Sequence, residues 1–341
     1  MSEAKRRTPR STDVARHAGV SQKTVSRVMN GEPYVSAEVR ERVLAAAREL
    51  GYRRNTAARA LNLGRFHRIG VVSLGSSLYG PASLLVALER QARATSYALS
   101  VANMFEGESG GVMSAVESLL DEGVDGIMLS APIDEGQELR IDPDIPVLSF
   151  GGFPGLEGLR LVVTGASGFD AGRLATEHLL GLGHATVWHV AGPGQWSAAR
   201  DRARGWRQAL DVAGIAAPTP IEGDWSPASG YEAGRRLATD PEVTAVFVAN
   251  DEMAIGLLRG MAEAGRAVPE EVSVVGMDDI PVAAYLSPPL TTMRQDFEAI
   301  ASHALDLLID QIENAPGSAM RDDLPAQLVL RRSTTPPRSK R

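Results

Sequence analysis

From residue 69 onward the chain alternates short apolar segments with amphipathic ones, and no other feature limits its possible folds so strongly. The apolar segment 69–74 predicts a buried strand, and apolar residues recur at helical spacing in segment 84–93. Such alternation is typical of parallel sheets with helices on both faces. Because about 260 residues in this pattern exceed one sheet, we expect an α/β body of two doubly wound parallel-sheet lobes.

The same pattern continues as far as residue 275. Further strands are predicted at 98–102, 126–129, 147–148, 161–163, 187–190, 220–222, 245–248 and 272–275. Further helices are predicted at 112–120, 168–180, 198–210, 231–237 and 253–264.

Residues 8–54 predict a separate all-α head of three short helices. Ser11 or Thr12 is expected to cap the first helix, and Ser21 and Ser36 the second and third. Gly19 supplies the tight turn between the first two helices, since it adopts positive φ without steric cost. This order is typical of a helix-turn-helix motif, although a generic three-helix bundle has the same pattern.

The charge of the chain is divided unevenly between this head and the rest. Residues 1–68 hold 15 Lys and Arg against 6 Asp and Glu, a net charge of +9, whereas the remainder carries −16. A basic head on an acidic body favours a polyanionic partner for the head, such as nucleic acid. A solvated basic tail would show the same balance.

The second predicted helix has a polar face suited to reading DNA. Gln22, Lys23 and Arg27 lie opposite its apolar residues, and such side chains bond base edges in the major groove. Short polar residues on or beside it are the candidates for phosphate contacts that set the register: Ser21, Thr24, Ser26 and Asn30. The alternative is an ordinary solvated helix face.

A second group of candidates follows the predicted strands of the body, where ligands of open α/β sheets bind. Trp225 offers an aromatic platform for a sugar, while Arg202, Asn250 and Asp278 offer planar groups for vicinal hydroxyls. Each has a plainer interpretation. Trp225 would fit a core, Arg202 a surface ion pair, and Asp278 the cap of a turn.

Several classes of protein are disfavoured by what the chain lacks. It has no cysteine, which excludes disulfides, thiolate zinc sites and cysteine nucleophiles. Its six histidines show no metal-type pair, and neither a phosphate-binding loop nor a nucleophile elbow is present. We therefore expect no enzyme, cofactor or metal, although the adjacent Asp278 and Asp279 resemble a glycosidase carboxylate pair. Without a signal-like start or a long apolar run, a cytoplasmic protein is expected.

The amino-acid sequence of the head resembles the LacI/GalR family of transcriptional regulators. The resemblance is carried by Asp13-Val14-Ala15, Ala18-Gly19-Val20-Ser21, Thr24-Val25-Ser26-Arg27-Val28, Asn30-Gly31, Val35-Ser36 and Gly51-Tyr52. It continues through about residue 332, closest to the lactose repressor branch, in Ala191-Gly192-Pro193, Glu222-Gly223-Asp224-Trp225-Ser226, Ala249-Asn250-Asp251, Asp278-Asp279 and Pro288-Pro289-Leu290-Thr291-Thr292.

This resemblance implies a division of the chain into functional regions. Segment 55–67 matches the hinge helix and linker, whose minor-groove residues are Asn55, Ala58, Arg59 and the wedging Leu61. A core leucine is the plainer interpretation of Leu61. Residues 68–332 match a periplasmic-binding-protein-like domain for effector binding and dimerisation, with one lobe at 68–164 and 294–323, the other at 165–293 and 324–332, and a tail at 333–341.

The resemblance also implies an effector site between the lobes. Its matching positions are Leu78, Gly80, Pro81, Leu84, Arg202, Trp225, Asn250, Asp278, Gln295 and Phe297. Ser130 and Gly151 stand where the lactose branch has Asn and Asp ligand contacts, and Gly107 removes a nearby basic side chain. The sugar therefore need not be a simple galactoside. In the head, Arg10 replaces a usual capping Thr, and Arg54 a common Pro.

These observations predict a transcriptional repressor whose affinity for a pseudo-palindromic DNA operator is controlled allosterically by a small, sugar-like effector. The resemblance implies dimerisation through the body, and because no leucine heptad follows the body to form a tetramerising tail, a homodimer rather than a tetramer is expected. The sign of the response, induction or co-repression, stays open. The alternative is a cytoplasmic sugar-binding or sugar-processing protein without operator function.

Overall fold

The computed structural model describes residues 9–29, 32–52, 65–75, 77–104, 111–130, 141–151, 160–314 and 320–338. The chain forms two compact units, Met1–Phe66 and His67–Arg341. We call them the head and the body.

The head contains three helices: α1 (Ser11–Ala18), α2 (Gln22–Met29) and α3 (Ala37–Leu50). Val14, Val25 and Val43 are buried between them, so the apolar spacing in the sequence marked the true inner faces. Gly19 ends α1 in the left-handed conformation at φ 65°, as its place between two helical patterns predicted.

The caps of these helices agree with the prediction in two cases out of three. Ser21 Oγ accepts from the Thr24 amide at 3.1 Å, and Ser36 Oγ accepts from the Val39 amide at 3.4 Å. The predicted cap of α1 by Ser11 or Thr12 is wrong, because the helix begins one residue earlier. Arg10 is the N-cap, and its amide donates to Asp13 Oδ2 at 2.9 Å. The Asp13 carboxylate thus compensates for the capping Thr that Arg10 replaces.

The body has two lobes, each built on a six-stranded sheet covered on both faces by helices, as the alternation in the sequence predicted. In the first lobe all strands are parallel, in the order β11-β5-β4-β3-β1-β2. Its strands are β1 (Arg68–Leu74), β2 (Ala98–Met104), β3 (Gly126–Ser130), β4 (Val147–Phe150), β5 (Leu161–Ala166) and β11 (Met320–Leu324). Its helices are α4 (Tyr79–Ala92), α5 (Gly111–Asp121) and α10 (Phe297–Glu313).

The sheet of the second lobe has the order β12-β10-β9-β8-β6-β7, parallel except for the β10–β12 pair. Its strands are β6 (Trp188–Ala191), β7 (Ile221–Glu222), β8 (Ala245–Val248), β9 (Ser273–Asp278), β10 (Thr291–Arg294) and β12 (Gln327–Val329). Its helices are α6 (Gly168–Gly181), α7 (Ser197–Val212), α8 (Pro227–Ala238) and α9 (Asp251–Glu263), with a 3₁₀ turn at Pro281–Tyr285. The chain passes between the lobes after β5, after β10 and after β11.

Some elements differ from their predicted extent. Helix α4 begins at Tyr79, five residues before the predicted start, because Pro81 near a helix start fits the first turn rather than breaking it. Helix α8 begins at Pro227, since Ser226 caps it by accepting from the Ser229 amide at 3.2 Å. Helix α10 and strands β10 to β12 lie beyond residue 275, where no element was predicted.

Glycines let pairs of helices in the second lobe pack backbone against backbone. A Cβ on Gly172 of α6 would collide with the Arg202 carbonyl of α7. A Cβ on Gly256 of α9 would collide with the Pro227 carbonyl of α8. Backbone packing of this kind fixes the axes of α7 and α9 and thereby the residues at their first turns. None of the helices in the described ranges is both long and apolar enough to cross a membrane.

Candidate functional site

In the head, helix α2 presents the polar face that the sequence predicted. Val25 and Val28 are 1% and 4% exposed, whereas Gln22, Lys23 and Arg27 are exposed on the opposite side. Gln22 Nε2 donates to Ser11 Oγ at 3.0 Å, and Arg27 Nε lies 3.5 Å from Glu32 Oε2. The predicted base-reading side chains therefore share one accessible surface.

The candidate phosphate contacts have a mixed outcome. Ser21 and Thr24 bond each other through their hydroxyls at 2.8 Å in the cap of α2, and Ser26 is exposed. Asn30 lies outside the described residues. So do the predicted hinge residues Asn55, Ala58, Arg59 and Leu61, together with Arg54 and Gly107.

In the body, a cavity of about 140 Å³ lies between the two lobes. The structure brings all the predicted effector positions together around it: Leu78, Gly80, Pro81, Leu84, Arg202, Trp225, Asn250, Asp278, Gln295 and Phe297. The first lobe contributes an apolar wall, and the second lobe contributes most of the polar groups. A concave, largely apolar site with a few convergent polar groups is typical of small-molecule binding.

Arg202 and Asp278 form the electrostatic centre of the cavity. They are 7% and 6% exposed, and Arg202 Nη2 lies 3.7 Å from Asp278 Oδ1, which also accepts from Gln295 Nε2 at 2.6 Å. Burial raises the pKa of Asp278, while Arg202 and Gln295 oppose that rise. Arg202 is therefore a buried cation and not the surface ion pair of the alternative interpretation.

Trp225 lines the cavity although it is only 6% exposed. The Arg202 guanidinium lies 5.6 Å from the centre of its ring. Trp225 and Asp278 both adopt positive φ, 71° and 109°, which is unfavourable for side chains of this size. Strained backbone concentrates at functional sites, and here two strained residues face one cavity.

Asn250 joins three parts of the site. Its Oδ1 caps α9 by accepting from the Met253 amide at 2.9 Å, while its Nδ2 donates to the Trp225 carbonyl at 3.0 Å and to Glu252 Oε2 at 2.8 Å. Its amide group is thus already engaged without a ligand. Asn250 positions its neighbours in addition to lining the cavity.

Behind the cavity, Asp251 is fully buried and was not identified from the sequence. Its carboxylate accepts from Thr292 Oγ1 at 2.6 Å and from the Ile280 amide at 2.9 Å. Burial, with a contribution from the nearby Asp278, raises the pKa of Asp251 to about 8. These two bonds tie α9 to β10 and to the segment that directly follows Asp278 at the end of β9.

Ser130, which stands where the lactose branch has an Asn ligand contact, also lines the cavity, together with residues that the resemblance did not supply: Phe150, Trp196, Ala198 and Glu252. Trp196 precedes α7 and follows strand β6 by five residues, so its position after the end of a strand was a sequence signal for this site. Its indole packs edge-on against that of Trp225, with ring centroids 5.5 Å apart at 72°.

Four polar atoms on these cavity-lining residues are buried without a hydrogen-bond partner in the described part of the chain. They are Ser130 Oγ, Trp196 Nε1, Arg202 Nε and Trp225 Nε1. A buried donor left unsatisfied costs roughly 1–3 kcal/mol. The concentration of such donors at one cavity points to a ligand that carries oxygen acceptors.

The neighbouring carboxylates do not form an open catalytic pair. Asp279 is bound by Arg294 Nε at 2.6 Å and by Arg331 Nη2 at 2.5 Å, whereas Asp278 faces Arg202 and Gln295. Across the described ranges, no three His, Asp or Glu side chains are arranged to hold a metal ion.

Both the head and the body match known protein families. The head matches the model for bacterial regulatory proteins of the lacI family at residues 12–55, and residues 176–334 match the periplasmic binding protein-like domain. The lactose operon repressor of Escherichia coli is 34% identical over 331 residues, covering 95% of this chain and 90% of that protein. The ribose operon repressor of Escherichia coli is 34% identical over 306 residues, covering 88% and 92%.

A solved structure gives the same assignment. The crystal structure of the lac repressor dimer bound to operator and the anti-inducer ONPF matches with a TM-score of 0.82 at 31% identity. The match covers 96% of this chain and all of that one. These matches confirm the resemblance and the fold class: the chain belongs to the lacI family of bacterial regulatory proteins, as a DNA-binding transcriptional repressor with a periplasmic-binding-protein-like ligand domain.

Proposed function

We propose that this repressor binds a pseudo-palindromic operator as a homodimer and that a small, sugar-like effector in the interlobe cavity controls its operator affinity. The observation that carries the proposal is the set of buried donors without partners on the residues that line this cavity. Such donors favour a ligand rich in oxygen acceptors. The lactose and ribose operon repressors among its relatives support a sugar.

The walls of the cavity suit the two faces of a sugar ring. Trp225 and Phe297 offer aromatic surface to the apolar C–H face, while Arg202 and Asp278 bond hydroxyls at its edge. Because Leu78 and Phe297 belong to one lobe and Trp225 to the other, a bound ligand contacts both. Such a ligand stabilises one relative position of the lobes over another.

This preference is the source of the control over DNA. On the proposed mechanism, a lobe movement alters the packing of the hinge segments at 55–62, and with it the insertion of Leu61 into the minor groove. A coupling of about 1–3 kcal/mol would change operator affinity some 5- to 150-fold. We favour induction, in which the effector weakens operator binding.

The head supplies the specificity. Gln22, Lys23 and Arg27 would read base edges in the major groove, while Ser21, Thr24, Ser26 and Asn30 would contact phosphates. Two heads in a dimer would read two half-sites. The protein would act in the cytoplasm and without catalysis, a role supported by relatives that are repressors and by the pairing of Asp279 with two arginines.

The test is fluorescence anisotropy on a labelled fragment of the gene's own upstream region, with competitor DNA present. Mono- and disaccharides, including β-galactosides, are then titrated against the complex. Specific binding that one sugar releases is the expected result. A protein that binds sugars but no operator would support the alternative, a sugar-binding or sugar-processing protein whose head does not act on DNA.

A further inference from the structure

The charges on the ionisable side chains that line the interlobe cavity do not sum to zero. Of the described residues that line it, Arg202 is the single cation, whereas Glu252 and Asp278 both carry carboxylates. Arg202 Nη2 lies 3.7 Å from Asp278 Oδ1, so these two opposite charges neutralise each other. The carboxylate of Glu252 is left as an excess negative charge on the cavity wall.

Arg202 has little capacity to accept an anionic ligand. Its Nη1 donates to the Ala249 carbonyl at 2.5 Å, and its charge is offset first by Asp278 and also by Asp201. Binding a phosphate usually requires an arginine fork or several amide donors that are not already committed to other anions. Of its five N–H groups, one on Nη1 is taken by Ala249 and Nη2 faces Asp278, whereas Nε–H has no partner in the described part of the chain and suits a hydroxyl or ether oxygen.

Glu252 is held where a ligand would meet it. Its Oε2 accepts from Asn250 Nδ2 at 2.8 Å on its own lobe. Burial and the nearby Asp278 raise the pKa of Glu252, while the backbone amide of Tyr79, at the start of α4 in the opposite lobe, and the Asn250 side chain oppose that rise by stabilising the ionised carboxylate. The N-cap of α4 is Leu78, which has no side-chain group to satisfy that amide. Contacts from both lobes therefore keep the Glu252 carboxylate beside the cavity.

We propose that the cavity takes an uncharged glycoside and that Glu252 excludes sugars that carry a phosphate or carboxylate group. This inference rests on the proposed sugar effector and specifies its chemical class. The hydroxyl and acetal oxygens of a neutral glycoside satisfy the unpartnered indole and guanidinium donors without adding charge. A phosphate would add negative charge beside the carboxylates of Asp278 and Glu252, in a site lined by buried side chains, where like charges repel strongly.

The experiment is isothermal titration calorimetry of the full chain with matched pairs of sugars: glucose and glucose 6-phosphate, galactose and galactose 6-phosphate, ribose and ribose 5-phosphate, cellobiose and its 6-phosphate. In each pair that binds, we expect the neutral member to bind at least about tenfold more tightly. Glu252→Gln removes the charge but keeps an acceptor for Asn250. It should reduce this ratio about fivefold or more, mainly by improving phosphate binding.

The matched control is Glu232→Gln, which removes one negative charge from the exposed surface of α8 in the same lobe. It should leave the ratio unchanged. The inference fails if the wild-type protein prefers a phosphorylated member, or if Glu252→Gln leaves the ratio as it was. A protein that binds operator specifically but no sugar of either kind would overturn the sugar effector itself, and the inference with it.

Discussion

The indole of Trp196 packs edge-on against the indole of Trp225, with centroids 5.5 Å apart, and both ring N–H groups are buried without a partner in the described part of the chain. One tryptophan precedes α7 and the other follows β7. Two loops that are distant in sequence thus form one corner of the interlobe cavity. The corner offers an aromatic surface and hydrogen-bond donors together, which is a combination that suits carbohydrate.

Trp196→Phe should weaken effector binding about five- to tenfold, because it removes one hydrogen-bond donor but keeps an aromatic ring against Trp225. Calorimetry with the sugar that releases the operator gives the measurement. The control is Trp188→Phe, which deletes from strand β6 another buried indole N–H that has no partner among the described residues, at a residue outside the cavity lining. If both variants lose the same affinity, Trp196 has no direct role.

Trp225→Ala should abolish the effector response at sugar concentrations that saturate the wild-type protein, because it removes the main aromatic wall. Operator affinity without sugar should stay within about twofold, since Trp225 belongs to the body and the DNA-reading face to the head. Trp225→Phe separates lost stacking from lost folding and should retain a weakened response. An unaltered sugar titration in Trp225→Ala would contradict this role.

Asp251 should make stability depend on pH. Burial raises its pKa from 3.8 to about 8 in the folded protein, so the folded state holds a proton that the unfolded state releases. The resulting stabilisation is complete below about pH 4 and is lost as the pH rises through 8.

The variant Asp251→Asn mimics the protonated acid, donating to Thr292 and accepting from the Ile280 amide. Thermal unfolding midpoints between pH 5 and 8.5 should therefore fall less steeply with pH in this variant than in the wild type. Parallel curves for the two proteins would show that Asp251 keeps an ordinary pKa.

Gly172→Ala should destabilise the protein by about 1–3 kcal/mol, because its Cβ would push α6 away from the Arg202 carbonyl of α7. Effector affinity should fall as well, since Arg202 moves with its helix. Gly181→Ala, at the other end of α6, meets no atom within 4 Å and should be neutral or slightly stabilising. Chemical denaturation and sugar binding, measured on both variants, check this prediction.

Arg27→Ala should weaken binding to the specific operator by about 1–3 kcal/mol, with a smaller loss on unrelated DNA, because a base contact carries sequence information. Arg48→Ala removes an equal charge from the exposed side of α3 and is the matched control. Anisotropy at constant salt compares the variants. Equal losses on specific and unrelated DNA would reassign Arg27 to the phosphate backbone.

Much of the fold could be predicted because local patterns record burial directly. The inner faces of α1 to α3 and the fully buried strand β3 follow from the spacing of apolar residues. The ends of the elements were harder to predict, since α4 and α8 begin before their predicted starts, with Pro81 and Pro227 in their first turns. Helix α10 was missed altogether, although Asp296 caps it and its buried residues recur at helical spacing.

The residues of the candidate site likewise include some that the sequence predicted and some that only the structure revealed. The resemblance supplied Arg202, Trp225 and Asp278, and the structure places all three around one cavity. It did not supply Trp196, although its place after β6 was a usable signal, nor Glu252, because nothing in the segment around Glu252 shows which groups the other lobe brings to it. The engagement of Asn250 by two hydrogen bonds from one nitrogen was likewise beyond any local pattern.

By itself, the sequence determined a basic three-helix head, an α/β body of two lobes and the family. Helical spacing, strand alternation and sequence motifs are all properties of residues that are neighbours in the chain. The tertiary structure decided what those residues do together. It buried Arg202 against Asp278, set Trp196 edge-on to Trp225, and placed the Glu252 carboxylate at the cavity, where Arg202 is the single cation among the described lining residues. Charge pairing and unsatisfied donors depend on distances between segments far apart in the chain, and only folding sets those distances.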